Sequence, residues 1–397
     1  MPPDLAARRR DFPALEVRVH GRRLAYLDSA ATSLKPRAVI DAVSRAATHE
    51  AGNPGRAVHA LAEAAAGACE DVRADVAAWL GVAPHEVVFT SGTTASINLV
   101  AQTWGRANVG RGDAIIATEL EHHSNLVPWQ MLCAERGAEL RIAPVDDAGR
   151  IDFDRVSLAG AKLVVVAHLS NVVGTIAPIA ELAGRAHAAG ALVLVDGAQA
   201  VAHLAIDLPA LGCDFYAFSA HKMYGPPGIG VLWGRAELLA AMPPWQGGGG
   251  MIASVELTSS TYREPPARFE AGTANISGII GLGAAVRYLR GIADARAEQE
   301  RVHARLVDVI AAAGARILGT PELGVVSFVL PRVHAHDVAS IVDAEGVALR
   351  SGHHCAQPLH RRFGVDASAR ASVACYSGDD DVEQLAAALR KVREVFP

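Results

Sequence analysis

Seven short apolar runs, separated by stretches with helical spacing, constrain the fold of this chain more than any other feature. They fall at Val87 to Phe89, Ile115 to Ala117, Leu140 to Ala143, Leu163 to Ala167, Leu192 to Val195, Phe215 to Phe218 and Ile229 to Trp233. The runs favour β-branched and aromatic residues, and helical segments of about ten to fifteen residues lie between them. This alternation predicts an α/β fold with a mostly parallel seven-stranded sheet covered by helices, so all seven strands are expected to be buried. A chain of 397 residues is too long for one small core and suits a large domain with a smaller companion. Residues 1–22 read as an N-terminal arm packing on the small domain, and residues 23–275 as the large domain. Residues 276–397 read as a compact α+β domain, with strands at Val325 to Leu330, Ala348-Leu349 and Ala371 to Cys375 and helices from about 336 and 380.

In an open sheet of this kind ligands sit beyond the carboxyl ends of the strands, so chemistry is sought there. After Phe215 to Phe218 comes Ser219-Ala220-His221-Lys222, then a Gly/Pro-rich loop. Only four lysines occur, and the other three have ordinary settings: Lys35 precedes Pro36, Lys162 opens an apolar run, and Lys391 lies on a terminal amphipathic helix. A lysine held beside aromatic bulk and cationic neighbours loses basicity and suits a Schiff base with a carbonyl cofactor. After Phe89 the run Thr90-Ser91-Gly92-Thr93-Thr94 offers hydroxyls and the free N–H groups of a helix start, which read as a phosphate cradle or an ordinary threonine cap. After Ala117, Glu121-His122-His123 places an imidazole where it stacks on a flat ring, moves protons, or simply faces water. After Val195 stands Asp196, with Gln199 beyond it. A carboxylate there either caps the next helix or pairs with a cation such as a protonated pyridine nitrogen. Asn171 is a further polar candidate, or a turn residue.

A second centre is Arg350-Ser351-Gly352-His353-His354-Cys355-Ala356-Gln357-Pro358, where a cysteine beside two histidines suits a reactive thiolate. A metal site is the rival, weakened because His353, His354 and Cys355 are consecutive and do not easily face one ion. Arg350 and Arg370 flank this loop as candidates for holding a carboxylate, or as surface charges. The five cysteines show no CxxC pairing, and Cys69, Cys133 and Cys213 read as small core residues, so a reducing, cytoplasmic setting is expected. A net charge of −5 gives no electrostatic case for nucleic acid. No apolar run reaches the roughly 18 residues of a membrane span, and the N-terminus has no apolar block, so a soluble, non-exported chain is expected.

From about Asp11 to its end the chain resembles the group II, sulfur-mobilisation type cysteine desulfurases, within the class V aminotransferase-like, fold type I pyridoxal-phosphate enzymes. The residues that carry the likeness are Tyr26-Leu27-Asp28-Ser29-Ala30-Ala31-Thr32, Ser91-Gly92-Thr93-Thr94, Glu121-His122-His123, Asp196-Gly197-Ala198-Gln199, Ser219-Ala220-His221-Lys222, Arg268-Phe269-Glu270-Ala271-Gly272-Thr273 and Arg350-Ser351-Gly352-His353-His354-Cys355. The resemblance implies pyridoxal 5'-phosphate as cofactor, with Lys222 as its Schiff-base lysine, Asp196 on the pyridine nitrogen, Gln199 on the ring hydroxyl and His122 stacked on the ring. It implies that Thr93, Thr94, Ser219 and His221 hold the phosphate, with Thr273 reaching in from the second subunit of a homodimer. It also implies that Asn171 and Arg370, with Arg350 beside them, hold L-cysteine, and that Cys355 takes the sulfur as a persulfide while alanine leaves. A protein sulfur acceptor follows from the likeness, serving iron–sulfur clusters, a nucleoside or a secondary metabolite. One departure stands out: where the family commonly reads Asn-Val-His-Arg, this chain has Asn53-Pro54-Gly55-Arg56. Selenocysteine lyase, kynureninase-like and epimerase activities are the alternatives on the same cofactor, and they do not need Cys355.

Overall fold

The structure is a computed structural model that describes residues 5–49, 52–53 and 59–397. Gly55 and Arg56 of the departing tetrapeptide lie outside the described residues. Seven strands form the central sheet in the spatial order Val87–Thr90, Gly230–Gly234, Phe215–Ser219, Leu192–Asp196, Ala161–Ala167, Ala114–Thr118, Glu139–Ala143. Gly230–Gly234 runs antiparallel to both of its neighbours, and the remaining pairings are parallel. The expectation that all seven are buried fails at Glu139–Ala143, where only Ala143 is buried. That strand is the sheet edge, and its Glu139 and Arg141 side chains pair with each other in the solvent.

Two apolar clusters sandwich the sheet, one containing Val164, Val166, Val193, Val195, Tyr216 and Phe218, the other Leu163, Val165, Leu194, Phe215 and Ala217. Successive residues of one strand thus enter opposite layers, which is why these strands read as continuous apolar runs rather than alternating ones. Helices Arg37–His49, Ala60–Leu80 and Ile276–Gly291 pack together on one side. The last carries glycines where the approach is closest: a Cβ on Gly283 would lie 2.4 Å from Val72 Cγ2, and one on Gly281 2.7 Å from Val43 Cγ2.

A second sheet of four antiparallel strands, in the order Arg316–Ile317, Val325–Val329, Ser368–Ser372, Arg350–Gly352, lies with helices Arg296–Ala312, Ala335–Ala344 and Asp379–Val395 over its own apolar cluster. Near the N-terminus, Ala25–Tyr26 pairs in parallel with Val347–Ala348, and Ala25 and Leu27 enter this same cluster. Asp28 then bridges to Ser372, so the segment that follows is carried from the second sheet toward the carboxyl ends of the first. Arg9 binds Asp381 at 2.6 Å, and Phe12 is buried against Tyr224, Tyr288 and Tyr376. The chain end nearest the start is thereby tied to both sheets.

Candidate active site

Lys222 follows the end of its strand by one short turn: Phe215–Ser219 stops and Ala220–Lys222 forms a single 3-10 turn. The carbonyl of His221, immediately before it, accepts four hydrogen bonds: from the Ser33 amide at 2.9 Å, Thr32 Oγ1 at 3.0 Å, Ser33 Oγ at 3.1 Å and Lys35 Nζ at 3.1 Å. The small-residue loop after Asp28 is therefore a splint for the Lys222 turn, and Ser33 Oγ also accepts from the Tyr224 amide at 2.6 Å. Lys35 is not in the ordinary setting its sequence neighbours indicate. Burial pushes its amine down to about 8, and it donates to Thr32 and to two carbonyls. No local pattern announces this, because the third acceptor, the His221 carbonyl, comes from a turn far along the chain.

Lys222 is half-buried at the floor of a cavity, and desolvation lowers its pKa, with Arg370 and Arg350 acting in the same direction and Asp196 and Cys355 opposing them. Asp196 ends the neighbouring strand, its Oδ1 accepting from the Ala198 amide at 2.9 Å, and burial raises its pKa against the pull of Lys222. A buried carboxylate of this kind is stabilised by a cation placed on it. Thr93 opens helix Thr93–Val100 after Gly92, whose φ of 147° excludes most side chains, and its amide and hydroxyl lie 2.8 and 2.7 Å from Ser219 Oγ. Helix-start amides and four hydroxyls, including Thr94 Oγ1 at 2.7 Å from Ser124 Oγ, thus converge at one end of the cavity. His122 accepts from the Ser124 amide on Nδ1 at 3.0 Å, and burial, then Lys222, push its pKa down to about 3. It is a neutral ring with its proton on Nε2.

Beneath it Glu121 is fully enclosed, accepting from Thr118 Oγ1 at 2.6 Å, Asn125 Nδ2 at 2.6 Å and the Ala167 amide at 3.1 Å. Gln199 Nε2 donates to the Ala30 carbonyl at 2.7 Å.

The second centre arrives from the other sheet. Cys355 is exposed, and the other four cysteines are buried. His354 and Cys355 both have positive φ, 51° and 57°, a conformation that costs side-chain-bearing residues on the order of 1 kcal/mol each. The loop is held in it from outside: the His123 amide donates to the Cys355 carbonyl at 2.7 Å, the Gln357 amide to His123 Nε2 at 3.1 Å, and Asn171 Nδ2 to the His354 carbonyl at 2.7 Å. The His354 ring turns inward onto Ser368, 3.0 Å from its Oγ, and its pKa falls to about 2 through burial. Cys355, exposed on the same loop, lines one cavity with His354. Arg370 is buried from the strand Ser368–Ser372, donating to the Asn171 carbonyl at 3.0 Å and to Asp28 at 3.2 Å, and burial lowers its pKa to about 10 despite Asp28. Its Nε is buried without a partner.

One cavity of about 210 Å3 collects these groups. Of the thirteen residues singled out from sequence it is lined by all but Gln199 and Thr273, namely Thr93, Thr94, His122, Asn171, Asp196, Ser219, His221, Lys222, Arg350, Cys355 and Arg370. Gln199 lies one bond behind it through Ala30, and Thr273 is exposed outside it. Sequence reasoning gave no site role to Ser124 or the alanines at 30, 31 and 198 that complete the wall with His354. An acidic base, an amine of lowered pKa, a flat neutral ring and a helix-start cradle form a donor set suited to a phosphorylated aldehyde with a basic ring nitrogen.

The model of the family described as Aminotransferase class-V matches residues 25–385. A cysteine desulfurase of Dickeya dadantii is 48% identical over 397 residues, covering 98% of this chain and 96% of the relative. Among solved structures, the cysteine desulfurase CsdA of Escherichia coli in its S-sulfonic acid form superposes with a TM-score of 0.92 at 38% identity, covering 99% of each chain. The apo cysteine desulfurase of Thermococcus onnurineus NA1 gives 0.94 at 36% identity, covering 100% of this chain and 99% of that one.

Proposed function

Because the chain belongs to the aminotransferase class-V family, we propose that it is a cysteine desulfurase that uses pyridoxal 5'-phosphate, converting L-cysteine to L-alanine and taking the sulfur on Cys355 as a persulfide. The observation that carries this reading is that Lys222 and Cys355, from different sheets, line one cavity with Asp196, Asn171 and Arg370. Bound pyridoxal phosphate supplies an aldehyde for the lysine and a ring that takes up the electrons freed at the substrate α-carbon.

The chain's own residues do the rest. Lys222, whose amine desolvation makes less basic, accepts the α-proton on Nζ. Asp196 keeps a proton on the ring nitrogen by offering its buried carboxylate, and Gln199 and His122 position the ring. Thr93, Thr94, Ser219 and His221 receive the phosphate, while Asn171, Arg370 and Arg350 orient the substrate carboxylate. The Cys355 thiolate attacks the substrate sulfur: an S–S bond forms, the C–S bond breaks, and its electron pair stays with the carbon fragment, which gains a proton and leaves as alanine. The cysteine sulfur is oxidised and the carbon fragment reduced in one step, so no outside oxidant enters.

The finer reading is a homodimer in which Thr273 of one copy reaches the phosphate of the other, with the Cys355 persulfide passed to a protein acceptor in the cytoplasm. The exposure of Thr273 away from its own cavity and of Cys355 at the mouth supports this. The test is mass spectrometry after incubation with L-cysteine. One added sulfur on Cys355 and one alanine per sulfur are expected, with neither from Lys222→Ala. Unchanged turnover of L-cysteine by Cys355→Ala would reassign the cavity to a reaction that needs no thiol, such as a selenocysteine lyase.

A further inference from the structure

Asp28 is the one carboxylate set between the two arginines of the cavity. Its Oδ1 lies 3.2 Å from Arg370 Nη2 and its Oδ2 3.3 Å from Arg350 Nε. The backbone around it is fixed: the Ser372 amide donates to the Leu27 carbonyl at 2.7 Å, Ser372 Oγ accepts from the Ala30 amide at 2.9 Å, and the Ala31 amide donates to the Asp28 carbonyl at 3.1 Å. Arg370 sits in the same strand as Ser372, with 2% of its side chain exposed, against 49% for Arg350 and 16% for Asp28. The three groups are graded from interior to mouth. Deeper in, Lys222 and Asp196 oppose each other in charge. At the outer end, two guanidinium groups and one carboxylate leave a single positive charge for an incoming substrate.

We propose that Asp28 is a positioning residue that aims both guanidinium groups and holds this end of the cavity at one net positive charge, so that it selects amino acids carrying one free carboxylate. The proposal rests on the desulfurase reading above. Without Asp28 the site presents two unneutralised guanidinium groups, one of them buried, and a second carboxylate on the substrate becomes favourable rather than redundant. The family likeness quoted Asp28 only as part of a motif. The structure assigns it a partner on each side.

The experiment compares dissociation constants for L-alanine and L-aspartate, read from the change in visible absorbance of the cofactor-loaded protein. The unaltered enzyme is expected to favour L-alanine. Asp28→Asn is expected to move the ratio toward L-aspartate on the order of tenfold, the effect of removing one unit charge from a partly screened site several ångströms away. Asp28→Glu is expected to restore the original ratio, and Arg350→Gln to move it the opposite way. A purely structural role for Asp28 predicts equal weakening of both ligands, and that result overturns the proposal. Should Asp28→Asn fail to fold, an unchanged ratio in Arg350→Gln overturns it equally. No absorbance response to either amino acid in the unaltered protein overturns the functional reading and this proposal with it, whereas a normal response to L-alanine with an unmoved ratio overturns the charge argument alone.

Discussion

Glu121, enclosed behind the site, links the protonation of one carboxyl to the stability of the fold. Burial pushes its carboxyl up to about 8, opposed by the donors Thr118, Asn125 and Ala167 and reinforced by the charge of Asp196. The folded protein therefore keeps this proton where an unfolded carboxyl, with an ordinary value of 4.5, has lost it. Between those values the native state binds more protons, so stability is full at the acid end and declines as pH climbs toward about 8. Glu121→Gln, neutral throughout, is expected to flatten that decline. Denaturant unfolding at pH 6 and pH 8.5 checks it, and parallel slopes in the two proteins would sink the idea. Lys222 and Cys355 were legible from sequence because each stands alone in kind, one lysine of four at a strand end and one cysteine of five in a Gly/Pro-bounded loop. Lys35 was not, since its setting is completed by the carbonyl of His221, which only the folded chain brings to it.

Among the elements, the motif Arg268-Phe269-Glu270 is a structural clamp. Arg268 Nη1 donates to the carbonyls of Ala240 at 2.7 Å and Met242 at 3.0 Å. Glu270 takes two bonds from Arg73, at 2.8 and 2.9 Å, and one from the Phe89 amide at 2.7 Å. Arg73 in turn donates to the Val87 carbonyl at 2.7 Å and lies over the Phe89 ring at 4.4 Å. Helix Ala60–Leu80, the edge strand Val87–Thr90 and the segment before helix Ile276–Gly291 are thereby locked together just ahead of the Thr93 cradle. Breaking a buried pair of this kind from one side costs about 3 kcal/mol, because the remaining charge stays buried. Arg73→Met is expected to lose about that much in urea unfolding, and Arg73→Met with Glu270→Leu markedly less than the two single changes added, a non-additivity measured by the double-mutant cycle. The strand Glu139–Ala143 marks the limit of reading elements from sequence. Its polar Glu139 and Arg141 interrupt the apolar run, and it lies exposed at one edge of the sheet, whereas Val87–Thr90 at the other edge is covered by the Arg73–Glu270 clamp and stays largely buried.

At the scale of the molecule, burial lowers the pKa of eight of the described histidines: His122 down to about 3, His168, His203 and His221 to about 4, His354 to about 2, and His123, His303 and His360 in the same direction. The unfolded chain takes up these protons below the ordinary value of 6.5 and the folded chain refuses them, so stability is full above that pH and is lost progressively as pH falls toward 4. The cofactor-free protein is expected to show melting temperatures that drop steeply from pH 7 to pH 5, with several protons taken up per molecule unfolded. An uptake of one proton or fewer contradicts the account. The sequence by itself determined the sheet, because buried strands and covering helices impose incompatible periodicities that can be read residue by residue. It also marked most of the chemical groups, because strand ends in such a sheet are fixed places. Only the tertiary structure decided how the two sheets face each other. Through that arrangement Cys355 reaches the cavity of Lys222, Asp28 comes between Arg350 and Arg370, and the pKa values depart from ordinary ones. All three depend on distances between residues far apart in the chain, and periodicity carries no information about those.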